Sequence, residues 1–203
     1  MDFAEELRRR GQPGLREYQL NVQLRDIEPP IWRRLVLPDD LPLPRLHAAL
    51  QYAFGWSGGH LHEFAVGPVR FGEPDPDEDN EPIDEKAARL NQLAHEVGDR
   101  ILYRYDFGDG WEHDLVVEDL WAEQGTRVPR CLDGERAGPL DDCGGPRGYD
   151  DMLRKLADPT DPEHHSMKVW AGAWKPEHFD LRALNVRLAH VAREVTRRPR
   201  RRG

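Results

Sequence analysis

Two short phrases of the sequence carry side chains that could do chemistry together. HLHEF begins with His60 and His62, and residues two apart on a strand point to the same side of a sheet. YRYDFGDGWEHD holds Asp106, Asp109 and His113 around the turn of a predicted hairpin. Imidazoles and carboxylates suit zinc or another first-row metal. The spacing therefore predicts a metal site from these histidines with one of the aspartates, in which an open coordination position could activate water for hydrolysis.

A third phrase, CLDGERAGPLDDCGG, carries both cysteines of the chain. The gap between Cys131 and Cys143 is far longer than the roughly two to four residues of a zinc knuckle. Each thiol is a candidate ligand of a separate metal site with a nearby histidine. The alternative is that each is a buried thiol that packs as a small hydrophobe. Two cysteines do not make a disulfide framework, so reduced thiols are expected.

Further polar and aromatic side chains are candidates for contact with a ligand. His47 lies beside the apolar stripe of a predicted helix, and Asp142 precedes Cys143 in the third phrase. With the hairpin residues, the ligand-binding candidates are His47, Asp106, Asp109, Trp111, His113 and Asp142. Each also has a purely structural explanation. An Asp-Gly pair suits a hairpin turn for backbone reasons alone, and a histidine at a helix–sheet boundary is often simply hydrogen-bonded there.

Composition excludes several classes of function. The net charge of -9 argues against a nucleic-acid-binding surface across the whole protein. The basic end of the chain is the one place where nucleic acid could bind, through Arg197, Arg198, Arg200, Arg201 and Arg202. There is no GxxxxGK[ST] phosphate loop and no GxGxxG after a strand. Neither of the two serines lies in a GxSxG elbow, which argues against a serine nucleophile.

The sequence pattern predicts neither a secretory signal nor a membrane helix. The first residues, MDFAEELRRRGQPG, have no apolar core typical of a secretory signal. No apolar run approaches the about 20 residues of a membrane helix. We therefore expect a cytoplasmic protein without a membrane partner, whose partner is an unknown protein or small molecule.

Periodicity predicts strands first and helices last. REYQLNVQLRDI alternates and predicts a strand, antiparallel to IWRRLVLP. LPLPRLHAALQYAF predicts an amphipathic helix with Pro44 at its start and Gly55 as its C-cap. HLHEFAVG and VRFG predict a hairpin, residues 90–97 a short helix, and residues 101–107 and 113–117 a second hairpin. Residues 125–148 are expected to be irregular, and three helices follow, in YDDMLRKLAD, EHHSMKVWAG and LRALNVRLAHVAREV.

This order of elements predicts the fold class and the domain organisation. The class is α+β: a single domain with a mostly antiparallel sheet, helices packed on one face and helices at the C-terminus. The domain is expected to span residues 15–195. An acidic, proline-punctuated loop insertion at 73–86 and a basic tail at 196–203 are expected to be solvated, because they lack apolar residues that would repay their ordering entropy.

Several phrases in one order carry a family resemblance. WRRLVLP, LHAALQYAFGW with HLHEFAVG, YRYDFGDGWEHDLVVED and CLDGERAGPLDDCGGPRGY together resemble the plasmid pRiA4b ORF-3-like family, over residues 18–185. The family phrase HLHxF matches His60 and His62. Its phrase FGDxWxH matches Phe107, Gly108, Asp109, Trp111 and His113. Its PPEDCGG reads PLDDCGG here, so that a proline and a glutamate are replaced by Leu140 and Asp141.

The resemblance implies a fold and a genomic setting rather than an activity. Family members are compact α+β domains of bacteria and archaea, often carried on mobile elements, and some are labelled transposon passenger proteins of a TnpR-like kind. Three hypotheses follow, in order of preference. The first is a non-catalytic binding or interaction domain without a cofactor, the second a buried hydrogen-bond network that specifies the fold, and the third a site for a divalent metal such as zinc.

Overall fold

A single eight-stranded sheet organises the described part of the protein. The computed structural model describes residues 16–75, 81–122 and 128–195. The strand order is β5-β4-β3-β6-β7-β1-β2-β8, antiparallel throughout except between β4 and β5. The strands are β1 Arg16–Leu24, β2 Trp32–Pro38, β3 His62–Val66, β4 Val69–Gly72, β5 Ile83–Asp84, β6 Arg100–Tyr105, β7 Trp111–Ala122 and β8 Arg130–Glu135.

The middle of the sheet follows from simple alternation. Tyr18, Leu20 and Val22 point to one face of β1 and are buried, whereas Gln19 and Asn21 point to the other. Strand β1 pairs with β2 in the predicted antiparallel sense, with Leu20 opposite Leu35. The buried face of β6 and β7 continues the same layer, so that one side of the sheet forms the hydrophobic core.

Helix α1, Leu43–Phe54, packs in this core through Leu43, Leu46 and Leu50. Proline at its second position fits the first turn, where an N–H would have no partner, and Gly55 ends it in the left-handed conformation with φ 82°. The other helices are α2 Leu90–Leu93, α3 Gly145–Ala157, α4 His164–Ala171 and α5 Leu181–Val195. None of the described helices is long and apolar enough to cross a membrane.

Among the described residues, the opposite face of the sheet carries several paired charges. Arg25 binds Glu112 and Asp114, and Arg104 bridges Glu63 and Glu112. These contacts lie across neighbouring strands, where opposite charges stabilise pairing modestly. With a core on one face and helices at the end of the chain, the structure confirms the predicted α+β class.

Strand β8 is the main element that the sequence prediction missed. The prediction of an irregular segment over 125–148 is wrong for Arg130–Glu135, which pairs with β2. Only Cys131 is fully buried in this strand, so β8 has no alternation to detect. The Asn185 amide of α5 accepts the Cys131 N–H at 2.7 Å and donates to its carbonyl at 2.9 Å. That pair of bonds occupies the N–H and the carbonyl of Cys131 on the outer edge of the sheet, where unpaired backbone groups could otherwise pair with another chain.

Smaller differences concern the ends of elements. The helix predicted over residues 90–97 ends at Leu93, because the Asp99 carboxylate accepts the N–H groups of His95 and Glu96 and holds them in a turn. Part of the acidic segment is ordered: Ile83–Asp84 is a strand and Glu85–Ala87 a 3-10 turn. The rest of that segment at 76–80, and the basic tail at 196–203, lie outside the described residues.

Candidate metal site at the hairpin turn

The turn between β6 and β7 fixes one carboxylate of the candidate site. Asp106 has a positive φ of 53°, which an aspartate tolerates better than most residues. Its Oδ1 accepts the N–H groups of Gly108 at 3.0 Å and Asp109 at 3.2 Å. The Asp106 carbonyl accepts the N–H of Gly110 at 2.6 Å, which closes the turn. These bonds leave Oδ2 of Asp106 facing the loop that precedes β3, where it lies 3.6 Å from His60 Nε2.

The DCGG loop, residues 142–145, docks directly on this turn. The N–H of Gly144 donates to Asp109 Oδ2 at 3.0 Å. Gly145 has φ 70°, and a Cβ at this position would lie 2.0 Å from the Asp109 carbonyl oxygen. Only glycine permits such a close approach of two backbones. The glycine pair therefore presses the loop against the hairpin and brings Asp142 beside it.

His60, Asp106 and Asp142 form a cluster at this junction. His60 Nε2 lies 3.1 Å from Asp142 Oδ1 and 3.6 Å from Asp106 Oδ2. One ligand atom from each residue lies within 4.8 Å of the other two. Exposure rises outward, from 12% for the Asp106 side chain through 34% for His60 to 73% for Asp142. One imidazole and two carboxylates on a half-open surface could hold a divalent metal with water in the remaining positions.

Tyr105 forms the inner wall of the cluster. Its ring meets His60 edge-on at 5.8 Å, and its hydroxyl lies 3.5 Å from Asp141 Oδ1. The other oxygen of Asp141 accepts the Ser57 N–H at 3.0 Å. Burial, with the nearby Asp141 carboxylate, raises the pKa of Tyr105 to about 12, although the backbone of Gly58 and His60 acts in the opposite direction. The Tyr105 hydroxyl therefore remains neutral near pH 7.

His62 lies in a different environment from His60. Strand β3 begins at His62, so His60 belongs to the preceding loop and the two residues do not share a strand face. His62 Nε2 lies 2.8 Å from Glu85 Oε2, and its ring stacks on that of His47 at 3.6 Å. The assumption that both imidazoles lie on one strand and meet one ligand is therefore wrong about the strand. His62 is engaged by Glu85 and lies outside the cluster with Asp106 and Asp142.

His47 is part of a hydrogen-bonded array inside the core. Its Nδ1 lies 2.8 Å from the Tyr103 hydroxyl, which also accepts a hydrogen bond from Gln51 at 2.9 Å. Because that oxygen accepts from Gln51, its own proton is available for Nδ1. Burial, followed by the neighbouring His62, lowers the pKa of His47 to about 3. A neutral His47 that accepts from Tyr103 agrees with both observations.

His113 is completely buried among aromatic rings. It meets Phe54 at 4.7 Å, Tyr103 at 5.2 Å and Trp56 at 5.3 Å. Among the described residues, neither ring nitrogen has a partner with hydrogen-bond geometry, although the Tyr103 backbone raises the pKa slightly. Burial dominates and lowers the pKa of His113 to about 3. His113 is thus a neutral core residue, and Trp111, 1% exposed, packs in the same layer against Trp56.

The two cysteines lie outside the cluster and are free thiols. Cys131 is buried and its Sγ donates to the Asp133 carbonyl at 3.1 Å. Burial raises the pKa of Cys131 to about 11 and that of Cys143 to about 12. Both thiols therefore stay protonated near pH 7, a poor state for a metal ligand.

The structure regroups the residues that the sequence singled out. It brings together His60 and Asp106 from the predicted metal set and Asp142 from the predicted ligand-binding set. Asp109 supports the cluster through Gly144 rather than joining it. Three further residues were not singled out, namely Tyr105, Asp141 and Glu85. Only Asp141 had a sequence signal, as the first member of the Asp-Asp pair in the DCGG phrase.

Comparison with known proteins finds a similar sequence, a similar structure and a matching family model. An uncharacterized protein of Sinorhizobium fredii (strain NBRC 101917 / NGR234), y4hQ, is 38% identical over 168 residues, which cover 82% of this chain and 85% of the relative. The crystal structure of MM3350 from Methanosarcina mazei Go1, a protein of unknown function, matches with a TM-score of 0.74 at 32% identity, over 83% of this chain and 97% of the other. The family model described as plasmid pRiA4b ORF-3-like protein matches residues 16–183. The chain therefore belongs to the plasmid pRiA4b ORF-3-like family.

Proposed function

We propose that this chain is a non-catalytic binding protein for a divalent cation, zinc or another first-row metal, held by His60, Asp106 and Asp142. The observation that carries the proposal is the convergence of one nitrogen and two oxygen ligand atoms within 4.8 Å of one another. Mixed imidazole and carboxylate ligands are typical of sites for such metals. Two carboxylates so close together repel each other, and a divalent cation between them removes that repulsion.

Rigid support of the ligands favours binding. Asp106 is fixed by two N–H groups of its own turn, and the loop that carries Asp142 is fixed by Asp109 and by the close approach at Gly145. A ligand held in advance loses little conformational freedom when the metal arrives, which strengthens binding. Asp106 and Asp142 both have a positive φ, 53° and 60°. Such uncommon backbone conformations cluster at functional sites, where the surrounding structure maintains them.

The surroundings favour binding over catalysis. A hydrolytic site needs a proton acceptor close to the metal-bound water. His62, which the sequence suggested for this environment, is paired with Glu85, and His113 is buried and neutral. Hydrolysis remains the second candidate because the 73% exposure of Asp142 leaves coordination positions open to water.

Metal titration of untagged protein tests the proposal. Protein stripped with a chelator and dialysed is titrated with zinc and with cobalt by calorimetry, and the bound metal is counted by elemental analysis. We expect one metal per chain, with affinity at least about 100-fold lower in His60→Ala and Asp142→Asn. His165→Ala, an exposed histidine on α4, is the matched control and should bind like the unmodified protein.

Two results would contradict the metal site. One is less than stoichiometric metal in the unmodified protein, and the other is an equal loss of affinity in His165→Ala. Hydrolysis is measured separately with bis(4-nitrophenyl) phosphate and 4-nitrophenyl acetate on the metal-loaded protein. Turnover that disappears in His60→Ala would replace the non-catalytic proposal with the hydrolytic one.

A further inference from the structure

A cavity lies next to the DCGG loop. It has a volume of about 360 Å³ and opens between the end of α1, residues 137–141 and the start of α5. Its walls include the aromatic side chains of Tyr52, Trp174 and Phe179 beside several polar residues. Cavities of this size with aromatic walls and a few polar groups are typical of small-molecule sites.

A buried guanidinium lines this cavity. Arg33 is 2% exposed, and it donates to the carbonyls of Glu135 at 2.6 Å, Trp32 and Arg136 at 2.7 Å, and Ala53 at 2.8 Å. A guanidinium has five N–H donors, so one donor on Nη2 is left over. Within the described residues no carboxylate pairs with Arg33, and burial lowers its pKa to about 10. A buried charge without a counter-charge is costly unless something compensates it.

Two aromatic rings pack against this guanidinium. The ring centroids of Phe179 and Phe54 lie 4.4 Å and 5.2 Å from the central carbon of Arg33. These rings favour the cation, but they carry no formal negative charge. Carbonyl dipoles and ring faces together hold Arg33 in place and tie the end of α1 to β8. They leave the charge itself without an ionic partner.

The rim of the cavity adds a second cation and two acids, and each acid accepts a backbone N–H. Arg187 lines the opening and makes no ion pair in the part of the chain that is described. Asp141 accepts the Ser57 N–H, and Asp180 Oδ1 accepts the Ala183 N–H at the start of α5. Each carboxylate thus already bonds a backbone N–H. Two arginines face a cavity in which neither acid is paired with them.

We propose that this cavity binds a small molecule with an aromatic ring and a carboxylate group. The ring lies against Trp174 and Tyr52, and the carboxylate accepts the remaining N–H of Arg33 and pairs with Arg187. This site is separate from the metal cluster, although residues 139–142 connect the two. A carboxylate supplies the formal charge that the four backbone carbonyls cannot supply.

Binding of benzoate and benzamide to metal-free protein tests this site. The two probes share one ring and differ in charge, and their affinities can be measured by ligand-observed NMR and calorimetry. We expect benzoate to bind at least about fivefold more tightly than benzamide. Arg187→Gln should weaken benzoate binding several-fold, whereas Arg182→Gln, an exposed arginine on the same helix, should not. Metal-free protein keeps this outcome independent of the cation site.

A blocking variant tests the cavity without any change to the buried Arg33. Ala183 lines the cavity at the first turn of α5, and Ala183→Trp should fill the space and abolish benzoate binding while the far-UV circular dichroism is unchanged. Equal affinity for benzoate and benzamide would overturn the proposal. Unaltered benzoate binding by folded Ala183→Trp would also overturn it, because the probe would then occupy another surface.

Discussion

His60 and His113 belong to neighbouring regions with opposite physical properties. His113 is 0% exposed, surrounded by Phe54, Trp56 and Tyr103, and its pKa is lowered to about 3. His60 is one-third exposed and lies between two carboxylates. The same side chain is thus a core element in one region and a candidate ligand in the other. Solvent and nearby charge, rather than residue type, decide which chemistry is available.

Two aromatic rings separate these regions. Trp56 packs on His113 at 5.3 Å and on Tyr105 at 4.9 Å, and Tyr105 meets His60 at 5.8 Å on its other side. The layer keeps water and metal away from the core histidine while it supports the loop that carries His60. Stability should therefore depend on the inner region and ligand binding on the outer one.

Removal of each histidine gives the largest contrast. We expect His113→Ala to lower the free energy of unfolding by about 2–4 kcal/mol, because it leaves a cavity among three large rings. His60→Ala should change the free energy of unfolding by less than about 0.5 kcal/mol, since its ring is partly solvated and makes few contacts. Urea denaturation in the presence of a chelator measures both. A similar loss in the two variants would contradict the division into core and ligand regions.

Zinc should stabilise variants that keep His60 but not the variant that lacks it. A metal that binds only the folded state stabilises it by about 2.7 kcal/mol at a free concentration 100 times the Kd. We expect that gain in the unmodified protein and in His113→Phe, which keeps the ring volume, but not in His60→Ala. Urea denaturation with and without zinc measures the gain. Zinc stabilisation that survives in His60→Ala would locate the metal elsewhere.

Acid should lower the free energy of unfolding through the buried His113. The folded-state pKa of His113, about 3, lies below its ordinary value of 6.5. Between pH 6.5 and pH 3, His113 therefore binds a proton in the unfolded chain but not in the folded chain. The contribution of neutral His113 to the free energy of unfolding is fully present above pH 6.5. It is lost as the pH falls towards 3, by about 1.4 kcal/mol per pH unit. In His113→Phe, the free energy of unfolding should fall less steeply with pH between these limits. The remaining slope includes the contribution of His47, whose pKa is also lowered by folding. Unfolding free energies at several pH values measure the slopes, and identical slopes would show that His113 is not kept neutral by folding.

Local patterns predicted most of the fold. The alternation of β1, the amphipathic spacing of α1 and the Gly55 C-cap each depend on neighbours in sequence, and each is confirmed. Strand β8 could not be predicted in this way. Its order depends on pairing with β2 and on Asn185, which is 54 residues away from Cys131.

The residue types of the candidate site were visible in the sequence, but their grouping was not. His60 joins Asp142 because β3 begins two residues after His60 and because Gly145 lets the DCGG loop approach Asp109. Both conditions are set by backbone contacts between distant segments. Spacing alone placed His62 and His113 with His60, since a sequence does not show which histidine is enclosed by aromatic rings.

Replacement of Tyr105 by phenylalanine gives the smallest expected effect and tests the wall between the two regions. The ring makes the contacts with the rings of Trp56 and His60, whereas the hydroxyl meets the backbone of Gly58 and His60 and lies 3.5 Å from Asp141, too far for a strong hydrogen bond to that carboxylate. We expect a loss of less than about 1 kcal/mol in unfolding free energy and a change of less than about threefold in zinc affinity, measured by urea denaturation and calorimetry. A much larger loss of zinc affinity would mean that the neutral hydroxyl positions Asp141 and, through it, Asp142. The wall would then be part of the binding site.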